Sequence, residues 1–237
     1  MSEPVFSRIL LKLSGEVLAN EHGFGIDPEK VLYLAKEIEP VYKANVNIGL
    51  IIGAGNIFRG LEASAGGMDR VTGDYLGMLA TIMNAIALQD ALEKIGCETR
   101  TLSAINVTQI AEPYIRRRAI RHMEKGRIII IAGGTGNPFF TTDSAAALRA
   151  LEMDCDVLMK ATKVDYVYDK DPMKYKDAKK YTKLSYQEVI EKNLGVMDLT
   201  CASLCKDGGM TMLVFNLNKK GSIEKAVKGA KIGTIIK

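Results

Sequence analysis

Gly133-Gly134-Thr135-Gly136-Asn137-Pro138-Phe139-Phe140-Thr141-Thr142-Asp143 joins two segments of different character. Before it, Arg127 to Ala132 is an apolar run with the length of a buried strand. After it, Ser144 to Met153 reads as a helix. A glycine-rich turn therefore sits between the C-terminal end of a strand and the N-terminus of a helix. The first N–H groups of a helix lack intrahelical acceptors, and the helix dipole favours negative charge there. Thr141 and Thr142 add hydroxyls, and Asp143 adds one carboxylate. Backbone donors and hydroxyls suit a phosphate. Asp143 would repel one, so it is expected to orient a lysine or a metal ion. Taken alone, the stretch is also compatible with a tight turn closed by an Asx or Thr cap.

Two further strand ends have the same design. Lys12-Leu13-Ser14-Gly15 follows Ile9-Leu10-Leu11. Gly53-Ala54-Gly55-Asn56 follows Ile48 to Ile52, with Arg59-Gly60 just beyond. Ligands of open α/β sheets bind outside the carboxyl ends of the strands, so three such loops predict one phosphate-rich site. Candidate cations are Lys12, Arg59, Lys160 and Lys163, all at strand ends. The chain has no G-x-x-x-x-G-K-[ST], no third glycine of a dinucleotide fingerprint, no G-x-S-x-G and no protein-kinase signature. His22 and His122 have no triad partners in sequence reach. What remains is phosphoryl transfer without a Walker loop, a reaction that needs positioning and cations more than covalent help.

Strands and helices alternate along the rest of the chain. Strands are expected at Arg8–Leu13, Val46–Ile52, Glu98–Leu102, Asp156–Ala161, Thr211–Phe215 and Gly233–Ile236. Asp27-Pro28 opens a helix running to about Lys43, and a long helix spans about Gly73 to Ile95 before Gly96. Shorter helices are expected at Glu112–Lys125, from the capping box Ser185–Glu188, at Asp198–Asp207 and at Ser222–Lys228. This alternation predicts a mainly parallel sheet with helices on both faces, a three-layer αβα sandwich. Asp169 to Lys183, rich in Lys, Asp and Tyr, is the most loop-like segment.

Composition narrows the setting. The 237 residues, 47% of them hydrophobic, can bury a substantial core. No apolar run approaches the ~18–20 residues of a membrane span, and Met1 to Arg8 lacks a secretory pattern. Four cysteines (97, 155, 201, 205) and two histidines make a poor metal set, so reduced, buried thiols and a cytoplasmic enzyme are expected. Net charge is +4, and Arg116, Arg117, Arg118, Arg121 and His122 form the densest basic cluster. No aromatics interleave with it, which favours a solvated helix face or an interface over nucleic acid.

In RILLKLSGE (8–16), FGID (24–27), IGAGNIFRG (52–60), GDY (73–75), GMLATIMN (77–84), TGNPFFTTDSAA (135–146), KATKVD (160–165), YDKDP (168–172) and VMD (196–198), the chain resembles the bacterial uridylate kinases (UMP kinases) of the amino acid kinase superfamily. The likeness runs from about Arg8 to Ile236. It implies one amino acid kinase-like domain over 1–237, with a mainly N-terminal UMP part and a mainly C-terminal ATP part. The activity implied is transfer of the γ-phosphoryl group of ATP to UMP, giving UDP. Catalysis would rest on Lys12 and Asp143, and Mg²⁺ would be held mainly by the ATP phosphates. Lys12, Leu13, Ser14, Gly15, Gly55, Arg59, Thr162, Tyr168 and Asp171 would hold ATP. Ala54, Asp74, Thr135, Gly136, Asn137, Pro138, Phe139, Phe140, Thr141 and Thr142 would hold UMP. Asn20, Glu21, His22, Gly23, Phe24 and Gly25 resemble a segment linked to activation by GTP at a site apart from catalysis. The resemblance also implies inhibition by UTP and a homohexamer. The chain departs from the family at Ala54 and Tyr166, both frequently glycine there, and at Gly208-Gly209. A catalytically silent nucleotide sensor on the same fold would be free to lose Lys12 or Asp143, and both are present.

Overall fold

The computed structural model describes residues 3–58 and 66–237. Among these, a nine-stranded sheet runs through the molecule. Its strands in chain order are β1 (Arg8–Leu13), β2 (Asn47–Ile52), β3 (Thr99–Ser103), β4 (Glu112–Pro113), β5 (Ile128–Ala132), β6 (Val157–Thr162), β9 (Lys183–Leu184), β10 (Met212–Asn216) and β11 (Thr234–Ile236). β7 (Val167–Tyr168) and β8 (Lys180–Tyr181) form a separate antiparallel ribbon. The order is β4-β3-β5-β2-β1-β6-β10-β11-β9, and every pairing is parallel except β10 with β11.

Seven α-helices accompany the sheet among the described residues: α1 (Pro28–Lys43), α2 (Arg70–Lys94), α3 (Arg116–Glu124), α4 (Thr142–Glu152), α5 (Tyr186–Glu191), α6 (Leu199–Asp207) and α7 (Ser222–Val227). The period-2 alternation of the strands divides the core in two. Ile9, Leu11 and Leu13 of β1 join residues of α1, α2 and α7 on one face. Leu10 joins residues of α3, α4 and α6 on the other. β6 divides likewise, with Val157, Met159 and Ala161 on the first face and Leu158 on the second. By this alternation Lys12 and Lys160 follow Leu10 and Leu158 towards α4. The three-layer αβα arrangement expected from the sequence is therefore present.

Local chemistry sets the helix ends. Asp27 caps α1 and Ser185 closes a complete capping box on α5, as their spacing predicts. α2 starts at Arg70 rather than near Gly73, because Asp69 accepts from the N–H of Thr72. α3 starts at Arg116, not Glu112. Pro113 cannot donate to a helix and disfavours helical backbone at Glu112, so the pair instead forms the edge strand β4. In the basic cluster on α3, Arg116 pairs with Asp154 at the surface at 2.8 Å, and His122 Nε2 lies 3.2 Å from Glu112. All four cysteines are buried and unbridged.

By length and composition α2 could cross a membrane, which the reading by apolar runs did not anticipate. Its inner face, with Ile82, Ala85, Leu88 and Leu92, is instead buried in the core shared with α1 and β2. Its outer face carries Tyr75, Leu76, Leu79 and Met83, which are 37–54% exposed. α2 thus has one apolar face in the core and a second that is uncovered.

Candidate active site

β1 and β6 are adjacent parallel strands in which Lys12 stands directly beside Lys160. Two ammonium groups on one face of neighbouring strands repel each other. Asp143, in the first turn of α4, lies between them. Its Oδ1 is 2.7 Å from Lys12 Nζ, and its Oδ2 accepts from Lys160 Nζ. The side chains of all three are only 13–15% exposed. Lys160 Nζ also donates to the Val196 carbonyl. Burial pushes the Asp143 carboxyl up, but the charges of Lys12 and Lys160 outweigh it and hold the group below the usual carboxylate range. Burial pushes Lys160 down, Asp143 opposes that, and Lys12 adds to it. The centre therefore carries two cations on one anion in a partly dry setting. That surplus of positive charge suits a phosphoryl group.

The glycine-rich turn after β5 is shaped by its backbone. Gly133 has φ 75° and its N–H donates to Thr81 Oγ1 of α2 at 2.9 Å. Phe139, without glycine's freedom, sits at φ 71°. The first N–H groups of α4 are not free as the sequence implied. Those of Asp143 and Ser144 donate to Thr141 Oγ1, so Thr141 is an N-cap as well as a site candidate. Thr141 in turn donates to Asp198 Oδ2, and Ser144 Oγ donates to Asp198 Oδ1 at 2.7 Å. Asp198 also caps α6 through the Cys201 N–H at 2.9 Å. One carboxylate thus locks the starts of α4 and α6 together. Asp198 is absent from the expected site residues; its signals in the sequence are its place in the Val196-Met197-Asp198 motif and at the start of the Asp198–Asp207 helix.

A cavity of about 210 Å³ reaches the start of α4 at Thr141 and Thr142. Ala54, Gly55, Asp74, Thr135 and the stretch Phe140–Thr142 line it, with Gly77 and Thr81 of α2. Most of the residues expected to hold UMP are therefore brought together. Gly136, Asn137, Pro138 and Phe139 do not line it. The Phe139 N–H instead donates to Asp74 Oδ2 at 2.7 Å, and Arg70 Nε donates to the same carboxylate at 2.9 Å. Asp69 supplies the cap of α2, so Asp74 is not needed for that purpose.

A second cavity of about 450 Å³ is lined by Lys160, Thr162, Tyr168 and Asp171 together with Tyr166 and Asn193–Val196. The three residues expected around adenosine thus share one pocket, and Tyr166 stands in its wall. A third, of about 550 Å³, is lined by Lys12, Ser14, Lys160 and Lys163 and by Asn20 and Glu21. Asn20 and Glu21 of the 20–25 turn therefore share a cavity with Lys12 and Lys160. Lys163, the other candidate cation at this strand end, is 70% exposed and pairs with Glu16 at 2.6 Å on the wall of this cavity. Leu13 is buried and its carbonyl accepts from the Gly53 N–H at 2.9 Å. Gly15 must be glycine, since a Cβ would stand 2.4 Å from Gly53 O and Asn56 Oδ1. At Gly208 a Cβ would meet Leu151 Cδ2 at 2.4 Å, a side-chain end that would have to shift. Arg59 lies outside the described residues.

Among the described residues no cluster of three or more His, Cys, Asp or Glu side chains could hold a metal unaided. Both Asp143 oxygens already face ammoniums. This donor set fits a Mg²⁺ that arrives on nucleotide phosphates, the usual habit of that ion.

An open α/β sheet with glycine loops at its strand ends and a Lys–Asp–Lys centre whose lysines line neighbouring cavities is built as a phosphotransferase. Comparisons with known proteins narrow the class. Residues 7–216 match the model of the amino acid kinase family. A uridylate kinase of Dichelobacter nodosus (strain VCS1703A) is 55% identical over 234 residues, which is 99% of this chain and 97% of that one. The crystal structure of a UMP kinase from Bacillus anthracis superposes with TM-score 0.94 at 38% identity, covering 98% of this chain and 96% of the other. That of a UMP kinase from Ureaplasma parvum gives 0.91 at 35% identity, covering 100% and 99%. The chain belongs to the amino acid kinase family, in its uridylate kinase branch.

Proposed function

We infer that the chain is a nucleoside monophosphate kinase that moves the γ-phosphoryl group of ATP onto UMP, releasing ADP and UDP. The observation that carries the reading is the Asp143 carboxylate held between Lys12 and Lys160, with Lys160 also lining the candidate adenosine cavity and Thr142, next to Asp143 in the chain, lining the candidate UMP cavity. An oxygen of the UMP phosphate attacks the γ-phosphorus, and the bond to the β–γ bridging oxygen breaks in line. The phosphate nucleophile is largely ionised at neutral pH, so no general base is required. Lys12 and Lys160 offset the negative charge on the moving group, and Asp143 keeps both side chains aimed. Mg²⁺ bound to the ATP phosphates supplies further charge neutralisation. Gly15, Gly53 and Gly55 let backbone approach the phosphates.

UMP lies mainly in the N-terminal part of one domain over 1–237, with Asp74 on its ribose and Thr135 to Thr142 around its phosphate and base. ATP lies mainly in the C-terminal part, against Thr162, Tyr168 and Asp171, its phosphates along Lys12 to Gly15. The test is a binding measurement. Asp74→Asn should weaken UMP about 10–150-fold, the range for a charged hydrogen bond to a hydroxyl, and leave ATP affinity within about threefold. Equal loss for both nucleotides, or none for UMP, contradicts the assignment.

The same reading makes the protein a cytoplasmic homohexamer in pyrimidine nucleotide synthesis, activated by GTP through the 20–25 turn and inhibited by UTP. The uncovered apolar stripe of α2 supports a subunit contact, since a surface helix needs only one apolar face. Light scattering at micromolar concentration should give about six times the chain mass, and a value near 25.9 kDa rules the assembly out.

A further inference from the structure

Two asparagines are buried where apolar residues would be expected. Asn84 lies on the inner face of α2 and is fully buried; Asn56, in the loop after β2, is 1% exposed. A buried amide is costly unless its groups are bonded, and these are. Asn56 Nδ2 donates to Asn84 Oδ1 at 2.9 Å and to the Gly25 carbonyl at 2.8 Å. Asn84 Nδ2 donates to Asn56 Oδ1 and to the Gly53 carbonyl, both at 2.8 Å. Both amide groups thus spend both N–H donors.

The pair sits where three backbone segments converge. Gly53 is held from one side by Asn84 and from the other by its own N–H on the Leu13 carbonyl, at 2.9 Å. Gly15 packs against Asn56 Oδ1 and Gly53 O so closely that no Cβ fits. Gly25 is bound twice to Asn56, since its N–H also donates to the Asn56 carbonyl at 2.7 Å. The two asparagines touch neither candidate substrate cavity. Their bonds instead hold the 53–55 loop and tie the 20–25 turn to it, while Asn56 Oδ1 packs against Gly15 and so sets how closely the 12–15 loop approaches.

We propose that Asn56 and Asn84 are positioning residues that hold the two phosphate loops in register for transfer. The inference rests on the reading of 12–15 and 53–55 as phosphate loops. Reactants displaced by about 1 Å lose on the order of 10²-fold in rate while remaining bound. The pair therefore bears on turnover more than on affinity.

The test compares the parent with Asn84→Leu, which keeps the shape and removes every bond, and Asn84→Ser, which leaves room for water. For each, kcat per folded molecule, the dissociation constants of ATP and UMP by calorimetry, and the melting temperature are measured. The expected result for Asn84→Leu is a kcat loss of about 10- to 100-fold with both dissociation constants within about threefold of the parent. Should that variant fail to fold, Asn84→Ser is judged by the same split, with a loss of at least about fivefold. A kcat within twofold of the parent in a folded variant overturns the proposal, even if melting falls. A loss seen only as weaker binding overturns it as well. The parent's own UMP turnover separates the two levels: its absence sinks the reading of function and this inference with it, whereas normal parental turnover with unaltered variants sinks the inference alone.

Discussion

Lys12→Ala should lower kcat by roughly 10²–10³-fold, the range for removing one preorganised group that stabilises transition-state charge. The geometry argues for a loss in the chemical step. Lys12 lines neither the candidate UMP cavity nor the candidate adenosine cavity, and its Nζ stands 2.7 Å from the Asp143 carboxylate that also holds Lys160. Lys160 remains on the other oxygen of Asp143, so the centre keeps one cation and the fold keeps its anchor. Single-turnover kinetics with both nucleotides saturating isolates the step. Turnover near that of the parent would remove Lys12 from the mechanism.

Asp143→Asn should act first on stability. It leaves two mostly buried ammoniums side by side on adjacent strands with no anion between them. Breaking a buried pair by removing one partner costs about 3–5 kcal/mol. The cost should fall when ATP is present, because phosphate oxygens then replace the lost carboxylate. A lower melting temperature, with a larger upward shift on adding ATP than the parent shows, is the expected pattern. The pH dependence follows from the depressed carboxyl. A folded pKa below the unfolded one contributes stability that is complete above the ordinary carboxylate range and is lost as pH falls through the folded value. The variant should lack that part of the acid limb. Melting curves from neutral pH to about pH 3 that lose stability in parallel for parent and variant would contradict the role given to Asp143.

The sequence carried the strand–glycine–helix units because their signals are local. Apolar runs, Asp27-Pro28 and the Ser185 box each act within a few residues. It did not carry β7, β8 and β9, whose two-residue length leaves no periodicity to read. The start of α3 was misplaced because a basic helical pattern was read through Pro113. At the site, Lys160 was visible as a cation but indistinguishable from Lys163. Only the register that sets Lys12 beside Lys160 separates a buried charge from a surface pair. Asp198 and the asparagine pair were out of reach for the same reason. Asp198 meets Thr141 and Ser144 across more than fifty residues, and Asn84 meets Asn56 across 28. Packing creates such contacts, and one sequence shows the residues without their partners.

The most direct measurement is ADP release and product identity from the purified protein with ATP and Mg²⁺, offered UMP, CMP, dCMP, glutamate or carbamate. The account predicts UDP from UMP, loss of activity on chelating the metal, and little turnover of the others. Equal turnover of CMP and UMP would contradict the uridine specificity. Phosphorylation of glutamate or carbamate with none of UMP would contradict the account at its centre.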